Sequence, residues 1–226
     1  MSNTDLSDSG ELPAEIFQKM GSQIPKLGTV VDKKYYSMLI LSFLMNALIS
    51  TILVSDVLAA EEITHHILIS KSSRQLSVIS TEGVTLRTYS IASGRGGPGD
   101  KYRLGDQKTP TGRYKVAGFK SNSDFFYFIR LNYPNENDAR RGFRDRLINK
   151  RQYDAILEAL DSDMTPPQDT KLGGAIGIHG IGDESQAKIN MHNTLDWTQG
   201  CIALRNHEVE ELLAFLSVGI HVVIKD

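Results

Sequence analysis

The sequence is poor in the features that usually announce a chemistry. Of its 226 residues only one, Cys201, is cysteine. No disulfide can form within the chain, so the thiol is inert packing, a metal ligand, an intermolecular link or a nucleophile. Excess charge of either sign is missing too. A net charge of −2 argues against a general nucleic-acid binder, which would present a strongly basic face. One basic cluster exists, Arg140, Arg141, Arg144, Arg146, Lys150 and Arg151, but Asp138 and Asp145 interrupt it and it reads as a solvated helix face. No internal repeat is present, which excludes a solenoid.

Two further absences narrow the field. The glycine-rich stretch Ser93 to Gly99 lacks the Gly-Lys-Ser/Thr ending and the helical pattern behind it that a phosphate cradle needs. The spacing of His179, His192 and Cys201 matches no paired metal-ligand motif, so no metal or other cofactor is expected and His192 reads as a solvated loop histidine.

Long apolar runs are scarce as well. The one that stands out, Tyr35 to Val54, has no charged residue and follows Lys26, Lys33 and Lys34. Twenty helical residues at 1.5 Å each reach roughly 30 Å, about a bilayer core. The preceding positive charges and the small-residue pattern Val57-Leu58-Ala59 point to export rather than to a buried core helix. The segment is either cleaved or retained as an inner-membrane anchor. Either way the remainder is expected in the periplasm or cell envelope, touching membrane only through this segment. No cysteine stands near the cleavage region, which argues against a lipid-anchored form. The expected organisation is a polar extension (1–34), the export segment (35–60) and one catalytic-size domain (61–226). A lone thiol in an exported protein is itself informative, because oxidising compartments pair or eliminate idle cysteines.

What is present converges on two short stretches, Gly177-Ile178-His179-Gly180 and Trp197 to Asn206 (WTQGCIALRN). Gly200 lets the backbone turn tightly beside the sulfur, and Thr198 is placed to order that turn through its hydroxyl. A free thiol has a pKa of about 8.5 and needs a neighbouring base to act as a nucleophile. His179 is the best-placed base.

The order "IHG", then "TQGCIAL" 22 residues further along, resembles the signature of the L,D-transpeptidase (YkuD-type) catalytic domain family. The stretch Gly99 to Phe119 is similar to that family's Thr-Pro-x-Gly-Tyr/Phe strand entry. Arg130 to Gly142 and Gly173 to Gly180 resemble the branch that also contains enzymes detaching proteins from peptidoglycan. Together these motifs cover His66 to Asp226. Many members carry His before the Gly-Cys pair and Arg two residues after the cysteine. Here those positions are Gln199 and Ala203, so contacts made by that arginine do not carry over, and Arg205 lies two positions further on.

The resemblance implies a mainly β, α+β fold, a YkuD-like sandwich or barrel with added helices, and the chain's own periodicities agree. His66–Ser70, Gln75–Ser80 and Val84–Ala92 read as a meander, the third strand changing facing near Arg87 and Thr88 as at a bulge. Arg113–Phe119 and Phe125–Leu131 are further strands, the latter's aromatics reading as core. Asn135–Leu160 has the helical period. Ala175–His179 is the strand delivering the histidine, and Ile181–Asp196 reads as an irregular polar loop. Cys201–Leu204 is short and apolar. A helix capped by Asn206 follows and Gly219 stops it, before a last strand, Ile220–Ile224.

The chemistry implied is acyl transfer through a Cys201 thioester. His179 is the base, the Gly180 carbonyl orients the imidazole, and backbone N–H groups near Gly200 and Cys201 hold the oxyanion. Thr198, Tyr133 and Arg205 are candidate substrate contacts. The implied partners are peptidoglycan stem peptides, with a peptidoglycan-linked lipoprotein as a further one, and the thioester passes to an amine (transpeptidation) or to water (carboxypeptidase or amidase action). A peptidoglycan-binding module without turnover is the non-enzymatic alternative.

Overall fold

Alternating burial along short β-branched runs produces the first strands. In β1 (His65–Ser70) Ile67 and Ile69 are fully buried, and in β2 (Gln75–Ser80) Leu76 and Val78 are, so both apolar sets face one side. β3 (Thr85–Ser90) pairs with β2, and the register slips between Val78↔Arg87 and Ile79↔Thr85. The extra residue is Leu86, so the expected bulge sits one position before Arg87. The computed structural model describes residues 64–226, and the polar extension and export segment lie outside it. Among the described residues no helix is long and apolar enough to cross a membrane.

The remaining strands are β4 (Gly112–Ser123), β5 (Phe126–Leu131), β6 (Gly177–Gly180), β7 (Ile202–Leu204) and β8 (His221–Lys225). They form one eight-stranded sheet in the order β3-β2-β1-β8-β4-β5-β6-β7. The pairs β1–β8 and β6–β7 are parallel and the others antiparallel. β4 belongs to both halves. Gly112–Lys115 pairs with β8, while Val116–Ser123 pairs with β5 through two register shifts, one of them at Val116/Gly118. A bulged strand bends, and here the bend folds one half of the sheet over the other. Ile67, Val78 and Val222 from one half therefore share a single core with Ile129, Ile178 and Leu204 from the other. The ring closes further where Ala92, just after β3, exchanges both backbone hydrogen bonds with Ala203 at 3.0 and 2.8 Å. The result is a β-sandwich rolled towards a barrel.

Helices fill the connections. α1 (Glu136–Arg144) and α2 (Lys150–Asp161) start at Asn135 and Asn149, each of which accepts a hydrogen bond from the third helical amide. This hairpin has its own small core of Ala139, Ile148, Ile156 and Leu172. α4 (Asn206–Leu213) buries Val209 and Leu212 in the main core. Its N-cap is Arg205 rather than Asn206, and Glu208 accepts a hydrogen bond from the Arg205 amide at 2.9 Å. The stretch expected as an irregular loop contains a helix, α3 (Gln186–Thr194).

Candidate active site

The two stretches singled out by sequence become neighbouring strands. β6 and β7 run parallel with His179 opposite Ala203, and Cys201 immediately precedes β7. Cys201 stands two residues before Ala203, the partner of His179, so Cys201 and His179 are diagonal to each other at the end of the β6–β7 pair.

The imidazole is fixed from behind. His179 Nδ1 lies 2.7 Å from the Gly180 carbonyl oxygen, which can only accept, so this nitrogen carries the proton and Nε2 keeps its lone pair. A Cβ on Gly180 would run into Asn206 Oδ1 and come within 2.9 Å of the Phe125 carbonyl oxygen, so the position favours glycine. Asn206 in turn clasps the next turn, accepting from Gly182 N–H at 3.1 Å and donating to the Gly182 carbonyl at 2.7 Å.

Aromatic rings surround the histidine. The rings of Phe125, Trp197 and Phe128 lie 4.7, 6.0 and 6.3 Å from it, and Lys188 Nζ sits 5.5 Å from the Trp197 ring. Phe125 and Phe128, expected in the core, instead flank the imidazole, because β5 pairs with β6 and sets Phe128 directly opposite His179, with Phe125 just before β5. Burial lowers the His179 pKa below its ordinary value, and the Lys188 charge pushes the same way against the Gly180 hydrogen bond. His192 is not a solvated loop residue. It is 1% exposed on α3, and burial together with the Arg74 and Arg205 charges lowers its pKa to about 4.

Cys201 ends a tight turn. Gly200 has φ +126°, and a Cβ there would come within 2.8 Å of the Lys108 carbonyl oxygen. The Thr198 hydroxyl donates to the Cys201 carbonyl at 2.7 Å and accepts from Gly200 N–H at 3.1 Å. Thr109 adds a second hydroxyl on the same carbonyl at 3.4 Å while accepting from Gly94 N–H at 2.8 Å. Its signal lay in the Thr-Pro-Thr-Gly motif, which sequence reasoning used only to place a strand. The Gly200 amide expected at an oxyanion site is thus already engaged. The thiol is partly accessible and donates to the Ala175 carbonyl at 3.3 Å, Ala175 itself having φ +53°. Burial pushes its pKa up to about 11, opposed by the Gly177 backbone and the Lys101 charge. Burial thus works against both the imidazolium and the thiolate.

The other candidates divide. Thr198 is 3% exposed and builds the turn. Arg205 turns away to Glu184, with Nε 2.9 Å from its carboxylate. Tyr133 is a correction: it is fully buried, and its hydroxyl donates to the Leu172 carbonyl at 3.0 Å, so it presents nothing to a substrate. Among the described residues no group of three His, Cys, Asp or Glu could hold a metal ion.

Comparison with curated proteins finds no match. Among solved structures the chain is similar to Bd1075 of Bdellovibrio bacteriovorus, with 22% identity and a TM-score of 0.47 over 72% of this chain and 48% of that one. It is similar to a mutant of the helical cell shape determining protein Pgp2 from Campylobacter jejuni, with 22% identity and a TM-score of 0.48 over 72% and 47%. A third is an L,D-transpeptidase from Xylanimonas cellulosilytica, with 15% identity and a TM-score of 0.42 over 71% and 60%. The chain spans about half the length of the first two. The family model of the L,D-transpeptidase catalytic domain, YkuD, matches residues 64–224, most of the sequence, and the chain belongs to that family.

Proposed function

We propose that the chain is an exported cysteine acyltransferase acting on peptidoglycan stem peptides, delivered to the envelope by the apolar segment behind Lys33 and Lys34. The observation that carries this reading is the His179 tautomer: with Nδ1–H given to Gly180, the free lone pair sits on the strand beside Cys201. As substrate enters, the thiol leaves the Ala175 carbonyl and passes its proton to Nε2. The thiolate attacks an amide carbonyl, and the Cys201 amide is the turn donor next in line to hold the oxyanion. The C–N bond breaks, the imidazolium protonates the leaving amine, and a thioester remains. An incoming amine, from a second stem or a lipoprotein lysine, restores an amide and the thiol. Water in its place gives an acid.

A second reading rests on the thiol pushed up to about 11: a module that binds stem peptides without turnover. The test is incubation of the full chain with purified muropeptides and lipoprotein-linked peptidoglycan, with products read by mass. New cross-linked dimers identify the transpeptidase, and trimmed stems or freed lipoprotein without dimers identify the hydrolase. Both must vanish in Cys201→Ala and His179→Ala. Unchanged substrates with the native chain would leave the binding module standing.

A further inference from the structure

Three residues of the basic cluster that sequence alone assigns to a solvated helix face, Arg144, Arg146 and Lys150, line a cavity. The turn between α1 and α2 opens into a cleft of about 850 Å³ lined by Arg144, Arg146, Lys150 and Lys171 over an apolar floor that includes Phe143 and Leu147. Arg144 pairs with Asp145 and Lys150 with Asp154. Among the described residues Arg146 and Lys171 enter no ion pair, so the cleft carries positive charge without a counterion.

The backbone at Arg146 is telling. It follows the end of α1 with φ +61°, and the amides of Arg146 and Leu147 close back on the Phe143 and Gly142 carbonyls at 3.1 and 2.8 Å. This is the left-handed position behind a helix where glycine is cheapest. Here an exposed arginine occupies it, at the rim of the cleft.

The cleft is also close to the nucleophile. From Lys171 the chain runs four residues to Ala175, whose carbonyl holds the thiol, a span of at most roughly 14 Å. Alongside, the Leu104 amide donates to the Lys171 carbonyl at 2.8 Å, and Tyr102 and Leu104 stand 41% and 68% exposed. An extended peptide of three or four residues covers the same distance.

We infer that the α1–α2 cleft, through Arg146 and Lys171, binds the free carboxylates of the peptide whose carbonyl is delivered to Cys201. This rests on the stem-peptide reading above. Charge complementarity favours a carboxylate-bearing chain, and the concave shape with its short path to the thiol favours a peptide over a flat anionic membrane surface.

The experiment is calorimetric titration of the full-length Cys201→Ala chain with a γ-D-glutamyl-containing stem tetrapeptide, in its free-carboxylate form and with its carboxyls converted to carboxamides. The parent is expected to prefer the carboxylate form by about tenfold, and less as salt rises. Arg146→Gly and Lys171→Gln should each lose most of that preference. Arg146→Gly should do so while its Tm rises, a pairing that a merely structural role for the side chain would not give. Variants that keep the parent's preference would overturn the cleft assignment and leave the functional reading intact. A parent that binds neither form would sink the functional reading and the cleft together. Loss of binding to phosphatidylglycerol vesicles in the variants, with peptide preference unchanged, would make the cleft a membrane contact and overturn the inference.

Discussion

The Cys201 thiol gives its hydrogen to the Ala175 carbonyl, 3.3 Å away, across the end of the strand that delivers His179. That contact and the burial of the sulfur both favour the protonated thiol. Alkylation of the native chain by iodoacetamide should therefore reach half its maximal rate only near pH 11, where an ordinary thiol does so near 8.5. A midpoint at or below pH 8 would show that the thiolate is stabilised without substrate.

The two hydroxyls on the Cys201 carbonyl fix the position of the turn. Thr198→Val strands the buried Gly200 amide, and the expected loss is about 1–3 kcal/mol of stability. Displacement of the turn should lower kcat on the order of a hundredfold. Chemical denaturation and steady-state kinetics measure the two effects, and unchanged kcat would mean that Thr198 serves folding alone.

Tyr133→Phe tests a residue that sequence placed at the substrate. Its hydroxyl bonds only the Leu172 carbonyl among the described contacts, so the variant should lose about 1–3 kcal/mol of stability with KM unchanged. A raised KM at native stability would return Tyr133 to the site.

Acid should weaken the fold through His192. Its folded pKa of about 4 lies below the ordinary 6.5, so the unfolded chain takes the proton first as pH falls. The stability it supports is intact above 6.5 and declines towards pH 4, on the order of 3 kcal/mol in all. His179 acts in the same direction. Asp138 opposes both, since burial raises its pKa to about 6 and the folded state protonates before the unfolded one. The difference between native and His192→Phe denaturation curves isolates the His192 contribution. Parallel curves from pH 7 to 4 would refute it.

The Gly200–Cys201 turn and the strand that carries His179 were legible because each is encoded within a few consecutive residues. Gly180 and Gly200 announce backbone that tolerates no side chain, and alternating burial announces β1 and β2. Relations across the chain were not legible. Tyr133 and Leu172 stand far apart in sequence, and the Tyr-Pro-Asn setting suggests an exposed turn, although the ring packs 6.1 Å from Tyr114. α3 was missed because it packs through few residues, Ile189 and His192 among them, too few for a helical period. The placement of Phe125 and Phe128 beside His179 depends on β5 pairing with β6, a long-range register that no local pattern displays.

The stitch between Ala92 and Ala203 has a consequence for recognition. With β6 on one side and Ala92 on the other, the strand behind Cys201 has no open edge on which an incoming chain could lie as an added strand. On the stem-peptide reading proposed above, a donor reaching the thiol is held by side chains and loop amides. Such a grip does not require the alternating pleat of L-residues joined by α-peptide bonds. It suits a peptide of mixed chirality with a side-chain-linked residue, whose backbone could not keep a β-ladder in step.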